Sequence, residues 1–271
     1  IRINGNGTVR MIYQGVANGN ISSSNKIGET TQAIKSVFNN GSDNAHVGYM
    51  YGVEKISTNY LEAHRNIYNS VAKEQLDIWY KANIEDKNLS KYIDFSTGFC
   101  NDRELDKTAH SSLIGDGYGK QYSGYAPLGR LMKSSSYNTT QTPVLKCTSK
   151  ERDLFTTNKD DLNNIGNKKL TYPIGLITSD EVIFAGGHGD KKSQSFYLYT
   201  NSYYYTMSPR SYDIHTTCMF GMTSDGFLDR VTVYHSYGLR PVINLKSNIK
   251  LTYNNESTKG SETDPFIVVT S

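Results

Sequence analysis

Residues 197–245 read YLYTNSYYYTMSPRSYDIHTTCMFGMTSDGFLDRVTVYHSYGLRPVINL, and this stretch carries the clearest structural pattern of the chain. Eight of the 21 tyrosines lie within it. Tyrosine is frequent in binding surfaces because it provides a large contact area and a polar hydroxyl at low entropic cost. The second half alternates between apolar and small or polar residues, which predicts strands with one buried face. The face expected to be buried carries Phe220, Met222, Val231 and Val233, and the opposite face carries Gly221, Thr223, Thr232 and Tyr234.

The composition is that of a polar-surfaced protein without nucleic-acid or membrane features. Its 271 residues suffice for one large domain or two small ones, and we expect a single domain spanning residues 1–271. The net charge is +3, and no basic run is interleaved with aromatic residues, so nucleic-acid binding is not expected. No segment has the length of a membrane span, and no signal-peptide pattern is present. Because the chain begins inside a predicted strand at Ile1, we expect that an upstream segment has been removed.

The first part of the chain contains two local signals. The sequence Asn-Gly-Asn-Gly at residues 4–7 tolerates positive φ angles and predicts a hairpin between residues 1–3 and 8–13. Residues 70–83 have helical periodicity, with Ala72, Leu76 and Trp79 on one face, and Asn69 or Ser70 can cap the helix. We expect residues 17–45 to form a long surface loop and residues 85–165 to be largely irregular.

Regular structure is expected to return after residue 165. The pattern predicts a strand over residues 170–177, then a short helix that opens with a capping box of Thr178 and Glu181 and ends at Gly186. A last strand is expected at residues 240–245 and a C-terminal pair at residues 249–253 and 266–269. Few short helices, several strands and extensive irregular loops indicate the α+β class.

The three cysteines lie at positions 100, 147 and 218. No two of them have the spacing of a zinc ligand pair, so a zinc site is not expected. Cys100 and Cys147 occur in similar loop-like contexts and could form a disulfide. Three buried free thiols are the alternative.

Several motifs together resemble one known family. They are YTMSP at residues 205–209, GMTSDGFL at 221–228 and SYGLRPVINL at 236–245. Six further segments match as well and are, in chain order, IRINGNGTVRMIY, FCNDR, YGKQYSGYAPLGRL, TPVLKC, LTYPIGLITSDE and SETDPFIVV. In this order they are similar to the formylglycine-generating-enzyme-like branch of the C-type lectin fold. The closer resemblance is to bacterial surface proteins that carry such a domain behind a type IV pilin-like helix.

The resemblance implies a C-type lectin-like scaffold that presents a variable face. In related domains, diversity-generating retroelements rewrite adenines in AAY codons, and the resulting NNY codons cannot encode Lys, Glu, Gln, Trp or Met. Residues 195–245 contain no Lys, Glu, Gln or Trp, which fits a candidate variable region at residues 197–245. Met219 and Met222 are expected to be buried. An ordinary β-rich segment is the alternative, since strands disfavour Lys and Glu.

The candidate ligand-binding residues are those of this region that are expected to face outward, with Tyr212, Tyr234 and Phe227 as aromatic anchors. They are Arg210, Ser211, Tyr212, Asp213, His215, Gly221, Thr223, Phe227, Asp229, Arg230, Thr232, Tyr234 and His235. By contrast, we expect Ser208, Pro209 and Arg240 to belong to the framework, with Arg240 as a buried structural cation.

The residues do not favour an enzyme. The oxidase activity of the formylglycine-generating branch requires two closely spaced cysteines near the end of the fold, and here Cys218 stands alone. His188 and Asp190 could ligate a metal or act as an acid/base pair, although two such residues in a glycine loop are more often solvated. The pairs Glu85-Asp86 and Asp160-Asp161 have no partners that suggest a glycosidase. We therefore expect no catalytic residue, no cofactor, no metal and no calcium dependence.

The first hypothesis for function is a non-enzymatic recognition module on the outside of a bacterial cell. It would bind a protein or another macromolecule on another cell, a host or a phage, without inserting into the membrane. One alternative is a structural subunit of a pilus or a surface layer, whose tyrosine-rich face packs against neighbouring subunits. The other is a carbohydrate-binding or hydrolytic domain.

Overall fold

The computed structural model describes residues 2–13, 34–107, 112–132, 141–158, 165–213, 215–257 and 267–270. Within these residues the chain combines several small sheets with short helices, which confirms the α+β class. The strands are β1 Arg2–Ile3, β2 Val9–Ile12, β3 Ile34–Ser36, β4 Met50–Tyr51, β5 Tyr68–Asn69, β6 Phe99–Cys100, β7 Ser123–Gly124, β8 Leu154–Phe155, β9 Tyr204–Tyr212, β10 Thr217–Met222, β11 Leu228–Thr232, β12 Tyr237–Leu239, β13 Val242–Leu245, β14 Ile249–Thr252 and β15 Ile267–Thr270. The α-helices are α1 Tyr60–Ala63, α2 Val71–Tyr80, α3 Ala126–Leu131, α4 Lys150–Asp153 and α5 Ser179–Phe184. A π-helical turn, Lys81–Glu85, follows α2, and 3-10 turns lie at Asn44–Val47 and Ser90–Tyr92.

The main sheet is built around β9. Its order is β11-β10-β9-β12-β3, and β7 pairs with the far end of β9. The strands β9, β10 and β11 form an antiparallel meander, whereas β12 pairs with β9 in parallel. A second sheet, β1-β2-β13, joins the N-terminal hairpin to the last strand of the tyrosine-rich stretch. The C-terminal strands β14 and β15 pair with each other, as predicted.

The N-terminal hairpin and two helices agree with the sequence predictions. Strands β1 and β2 pair with Ile3 opposite Val9, and the turn contains Gly7 at φ 82°. Helix α2 is capped by Ser70, whose hydroxyl accepts from the Lys73 amide, and its Trp79 ring lies 5.1 Å from the Tyr13 ring. Helix α5 opens with the predicted capping box. These elements formed as expected because their signals are local.

The predicted strand over residues 170–177 is wrong. This segment is an irregular loop with bends at residues 171–173 and one isolated bridge, between Gly175 and Val242. Pro173 has no amide hydrogen to donate to a ladder, which disfavours a continuous strand here. Gly175 also lies so close to the Phe99 ring that an added Cβ would be 2.5 Å from it. The apolar residues Leu170, Ile174, Leu176 and Ile177 are buried by side-chain packing and not by sheet formation.

Arg103 is a fully buried cation that fastens several irregular segments together. Its Nε donates to Asp153 Oδ1 at 2.7 Å, and its Nη1 donates to the Met50 carbonyl at 2.8 Å. Its Nη2 donates to Asn66 Oδ1 at 2.8 Å. The positive charges of Arg103 and Arg152 hold the pKa of Asp153 below its usual value despite the burial that opposes this shift.

Arg240 and Arg10 fill similar roles elsewhere. Arg240 is fully buried, as predicted, and its Nη1 donates to the Leu198 carbonyl at 2.8 Å while its guanidinium lies 4.9 Å from the Tyr204 ring centroid. Arg10 is 1% exposed, and its Nε lies 2.6 Å from Glu181 Oε1, the same residue that closes the capping box of α5. The N-terminal hairpin is thereby tied to α5.

The cysteines are arranged as one disulfide and one thiol. Cys100 and Cys147 are bonded, across a separation of 47 residues, which confirms the pairing that their contexts suggested. Cys218 is a free, buried thiol in β10.

His64 is fully buried at the C-terminal end of α1. Its Nε2 lies 2.9 Å from the Gly117 carbonyl oxygen, and its ring centroid lies 4.4 Å from that of Tyr60. Burial, with the nearby Arg103 charge, lowers the pKa of His64 from 6.5 to about 3. The imidazole is therefore neutral in the folded protein at neutral pH, with Nε2 donating to Gly117.

We predict that His64 makes the fold acid-sensitive. Below about pH 6.5 the unfolded chain binds a proton at His64 that the folded chain excludes, so the free energy of unfolding falls by about 1.4 kcal/mol per pH unit until about pH 3. His64→Gln removes this titration while keeping an N–H donor. Between pH 7 and pH 4.5, urea unfolding should therefore show a stability loss roughly 2–3 kcal/mol smaller in His64→Gln than in the wild type. The exposed-site control Tyr122→Phe, which changes no group that titrates between these pH values, should keep the wild-type slope, and a wild-type slope in His64→Gln would contradict the prediction.

Candidate ligand-binding surface

Four of the predicted ligand-binding residues are buried, three of them in the main sheet and Thr223 directly after β10. Ser211 and Tyr212 at the end of β9 are 4% and 3% exposed, Thr223 is 9% exposed, and Gly221 is buried in β10. Their expected outward orientation is therefore wrong. The reason is that β10 lies between β9 and β11 and all six of its residues are buried, so alternation does not separate a wet face from a dry one.

The faces of β10 and β11 also differ from the sequence prediction. Phe220 lies opposite Arg230, and Met219 lies opposite Val231. Directly opposed residues of an antiparallel pair project to the same face, so Phe220 and Val231 lie on opposite faces of the sheet. Met219 and Met222 are fully buried, as predicted.

Strand β9 is irregular next to β10. The register shifts twice, between Cys218 and Met219 and between Met219 and Gly221, so that the nine residues of β9 lie along the six of β10. Arg210 falls at the first of these irregularities and is half-buried. Such bulges change the direction of a side chain relative to the regular pleat.

A charged cluster forms around Arg210, and it consists of Arg210, Asp213, Asp229 and Arg230. The Arg210 Nη2 lies 3.6 Å from Asp229 Oδ1, and the guanidinium lies 6.0 Å from the Phe220 ring centroid. Burial lowers the pKa of Arg210, the Asp229 and Asp213 charges oppose this shift, and the Arg230 charge adds to it. The side chain of Asp229 is 43% exposed, and Arg230 is exposed. The structure thus brings four of the predicted residues together at the edge strand.

Four aromatic rings form a second feature beside the turn that follows β11, and we refer to Tyr203, Tyr237, His235 and Tyr234 as the aromatic row. The Tyr203 and Tyr237 rings stack with centroids 4.8 Å apart and an interplanar angle of 20°. The His235 ring lies 5.7 Å from Tyr237 and 5.0 Å from Tyr234, in edge-on geometry. Tyr203 and Tyr234 are 37% and 40% exposed, and His235 is exposed.

Tyr205 holds the aromatic row from below. Its hydroxyl lies 2.6 Å from the Thr232 carbonyl oxygen and 2.7 Å from the His235 carbonyl oxygen, and it shares its proton between them. Its ring packs 5.5 Å from both Phe38 and Tyr237. Burial raises the pKa of Tyr205 far above its ordinary value, so the hydroxyl stays protonated and remains a donor. A buried side chain therefore fixes the backbone of the exposed turn.

Strand pairing positions the stacked end of the row. The parallel pairing of β12 with β9 sets Gly238 beside Tyr204, and the Gly238 amide donates to the Tyr203 carbonyl at 2.9 Å. Tyr203 and Tyr237 are thereby adjacent. Neither residue was among the predicted ligand-binding residues, although both belong to the tyrosine-rich stretch. Their position was not foreseen because it depends on a pairing between strands that are distant in sequence.

The remaining predicted residues are dispersed. His215 is exposed in the connection between β9 and β10, Phe227 is half-buried in the turn before β11, and Thr232 is half-buried at the end of β11. None of these three forms a ring contact with the aromatic row within the described part of the chain.

The residues considered for catalysis are not assembled into a reactive group. Burial raises the pKa of Cys218 to about 11, so its sulfur is a thiol and not a nucleophilic thiolate at neutral pH. His188 Nδ1 and Asp190 Oδ1 are 3.9 Å apart, and both side chains are about one-third exposed. Glu85 and Asp86 both lie near the Lys81 ammonium, and Asp160-Asp161 lies outside the described residues. Among the residues that the structure describes, no three His, Cys, Asp or Glu side chains are placed to hold a metal ion.

No family model, curated protein or solved structure matches this chain. Over the described ranges, no helix has the length and apolar character needed to cross a membrane.

We predict that Tyr212 and Tyr234 respond differently to truncation. Tyr212→Ala removes a buried aromatic side chain and should lower the free energy of unfolding by roughly 3–5 kcal/mol. Tyr234→Ala removes a side chain that is 40% exposed and should change it by less than about 1 kcal/mol. Urea unfolding at pH 7 followed by circular dichroism provides the measurement. Equal effects of the two substitutions would show that the burial described for this sheet is incorrect.

Proposed function

We propose that this chain is a non-enzymatic recognition module that binds a macromolecular ligand through the aromatic row and the charged cluster. Its fold would be the C-type lectin-like fold of the formylglycine-generating-enzyme-like branch, and it would be displayed outside a bacterial cell. The proposal combines the motif resemblance with the surface that the structure presents.

The observation that carries the proposal is a row of four adjacent aromatic rings, three of them exposed, on a buried framework. Tyr203, Tyr234 and His235 are accessible, whereas Tyr205 beneath them is buried and bonded to the turn that carries them. Aromatic anchors that are already ordered lose little conformational entropy on binding, which favours recognition over non-specific adhesion. Asp229 and Arg230 add charges on β11 that can contribute to specificity.

The state of Cys218 does not favour the oxidase activity of the formylglycine-generating branch. Cys218, which occupies the region where the formylglycine-generating branch places its thiols, is a buried thiol whose pKa is raised to about 11. The disulfide between Cys100 and Cys147 fits an oxidising compartment, which agrees with display outside the cell.

The candidate variable region contains both exposed and buried residues. Residues that could be exchanged without disturbing the core are those that are exposed, namely His215, Arg230, Tyr234 and His235. Ser211, Tyr212 and Gly221 belong to the packed sheet, and Thr223 is buried directly after β10, so most substitutions at these positions would create cavities, strain or unsatisfied polar groups. A diversified version of this domain should therefore vary at the exposed set and be restricted at the buried set.

Cell binding provides the direct test of recognition. Fluorescent tetramers of the domain should stain at least one member of a panel of intact bacterial and animal cells, and the double variant Tyr234→Ala/His235→Ala should reduce the staining at least tenfold. Tyr122→Ala is a matched control, because Tyr122 is 43% exposed and lies outside the aromatic row. Staining that survives loss of Tyr234 and His235 would refute this surface as the binding site. Self-assembly of the purified domain that the same double variant abolishes would favour the structural-subunit alternative.

Sequencing of the gene locus tests diversification separately. A retroelement target should have a nearby non-coding copy of the segment for residues 197–245 that differs from it at adenine positions only. We expect the differing codons to include those of Arg230, Tyr234 and His235. A locus without such a copy would eliminate diversification while leaving ligand recognition intact.

A further inference from the structure

A cavity of about 320 Å³ opens beside the stacked end of the aromatic row. Its lining includes Lys35, Asn201, Ser202, Tyr203, Ser236 and Tyr237. The volume is at the lower end of the roughly 300–1,000 Å³ range of small-ligand sites. We propose that this cavity binds a carboxylated sugar residue of a glycan. The inference rests on the recognition function proposed above and specifies the ligand class of one part of the surface.

Tyr203 can supply a flat apolar surface through the ring face that the stacked Tyr237 ring leaves uncovered. Tyr203 is 37% exposed, and its ring is held nearly parallel to that of Tyr237 at 4.8 Å. The face of an aromatic ring carries partial negative charge, which attracts the positively polarised C–H groups on one face of a pyranose. Because the two rings support each other, the platform needs little reordering when a sugar stacks on it.

The rest of the cavity suits hydroxyl groups. Ser202 and Ser236 supply hydroxyls that can donate or accept, and Asn201 supplies an amide that can do both. The Asn201 side chain lies 3.0 Å from the Tyr199 hydroxyl, which fixes its orientation. No aliphatic side chain is part of the cavity lining among the described residues, so an apolar peptide side chain would find only the tyrosine rings. A sugar, with a C–H face and a hydroxyl rim, matches both parts of the lining.

The positive charge of Lys35 favours a negatively charged ligand. It is an exposed residue of β3, and it is the one Lys, Arg, Asp or Glu among the described residues that line the cavity. Its ammonium makes no ion pair with any residue in the described part of the chain. An ammonium in this position can pair with a carboxylate on a uronic or sialic acid, whereas a neutral sugar offers no opposite charge.

Matched sugars that differ in the carboxylate test the proposal. Surface plasmon resonance would compare immobilised tetragalacturonate with galactotetraose and sialyllactose with lactose. At least one acidic member should bind tenfold more tightly than its neutral partner. Lys35→Gln should remove this preference and leave the neutral affinity, Tyr203→Ala should weaken both members at least tenfold, and Tyr122→Ala should bind as the wild type does. Circular dichroism would verify that each variant is folded.

The failure of this inference can be separated from the failure of the recognition function. If no acidic sugar binds, or if Tyr203→Ala leaves sugar binding unchanged, the glycan inference is overturned. If, in addition, Lys35→Gln and Tyr203→Ala stain cells as strongly as the wild type while Tyr234→Ala/His235→Ala does not, recognition stands with another ligand class. If none of these variants alters cell staining, both proposals are wrong.

Discussion

Buried backbone carbonyl groups in irregular segments need hydrogen-bond donors inside the protein, and much of this structure serves to provide them. Hydrogen bonds between strands involve only part of the buried backbone carbonyl groups in this protein, and buried arginines donate to others. Arg103 connects the Met50 carbonyl with Asn66 and Asp153, and Arg240 reaches the Leu198 carbonyl. A buried guanidinium is costly unless most of its donors are used, and Arg103 meets that condition. Loss of one such cation would release several loops at once.

The buried side chains of this framework hold the aromatic row in place. Arg240 packs on the ring of Tyr204, and the next residue along β9, Tyr205, fixes the turn that carries His235. Only a few packed side chains and short hydrogen bonds thus connect the buried Arg240 to the exposed rings of the aromatic row. A site built on such support can present aromatic groups without an ordering step, which is the usual requirement for specific contacts.

The sequence was informative where local chemistry decides and uninformative where distant segments meet. The hairpin turn at residues 4–7, the Ser70 cap and the capping box at Thr178 depend on neighbours within four residues, and all were predictable. The faces of β10 were not, because burial on both sides cancels the meaning of alternation. Tyr203 and Tyr237 were missed for a similar reason, since a parallel pairing between β9 and β12 leaves no trace in either segment.

Cys218 has a consequence for how the protein matures. Three cysteines allow three different pairings during oxidative folding, and two of these would consume Cys218. Disulfide exchange requires an accessible thiolate, and Cys218 becomes neither accessible nor ionised once β10 is enclosed by its neighbours. Closure of the main sheet therefore protects the disulfide between Cys100 and Cys147 from exchange with Cys218. Sheet assembly that precedes oxidation therefore favours the native disulfide, because an earlier oxidant would meet an exposed Cys218.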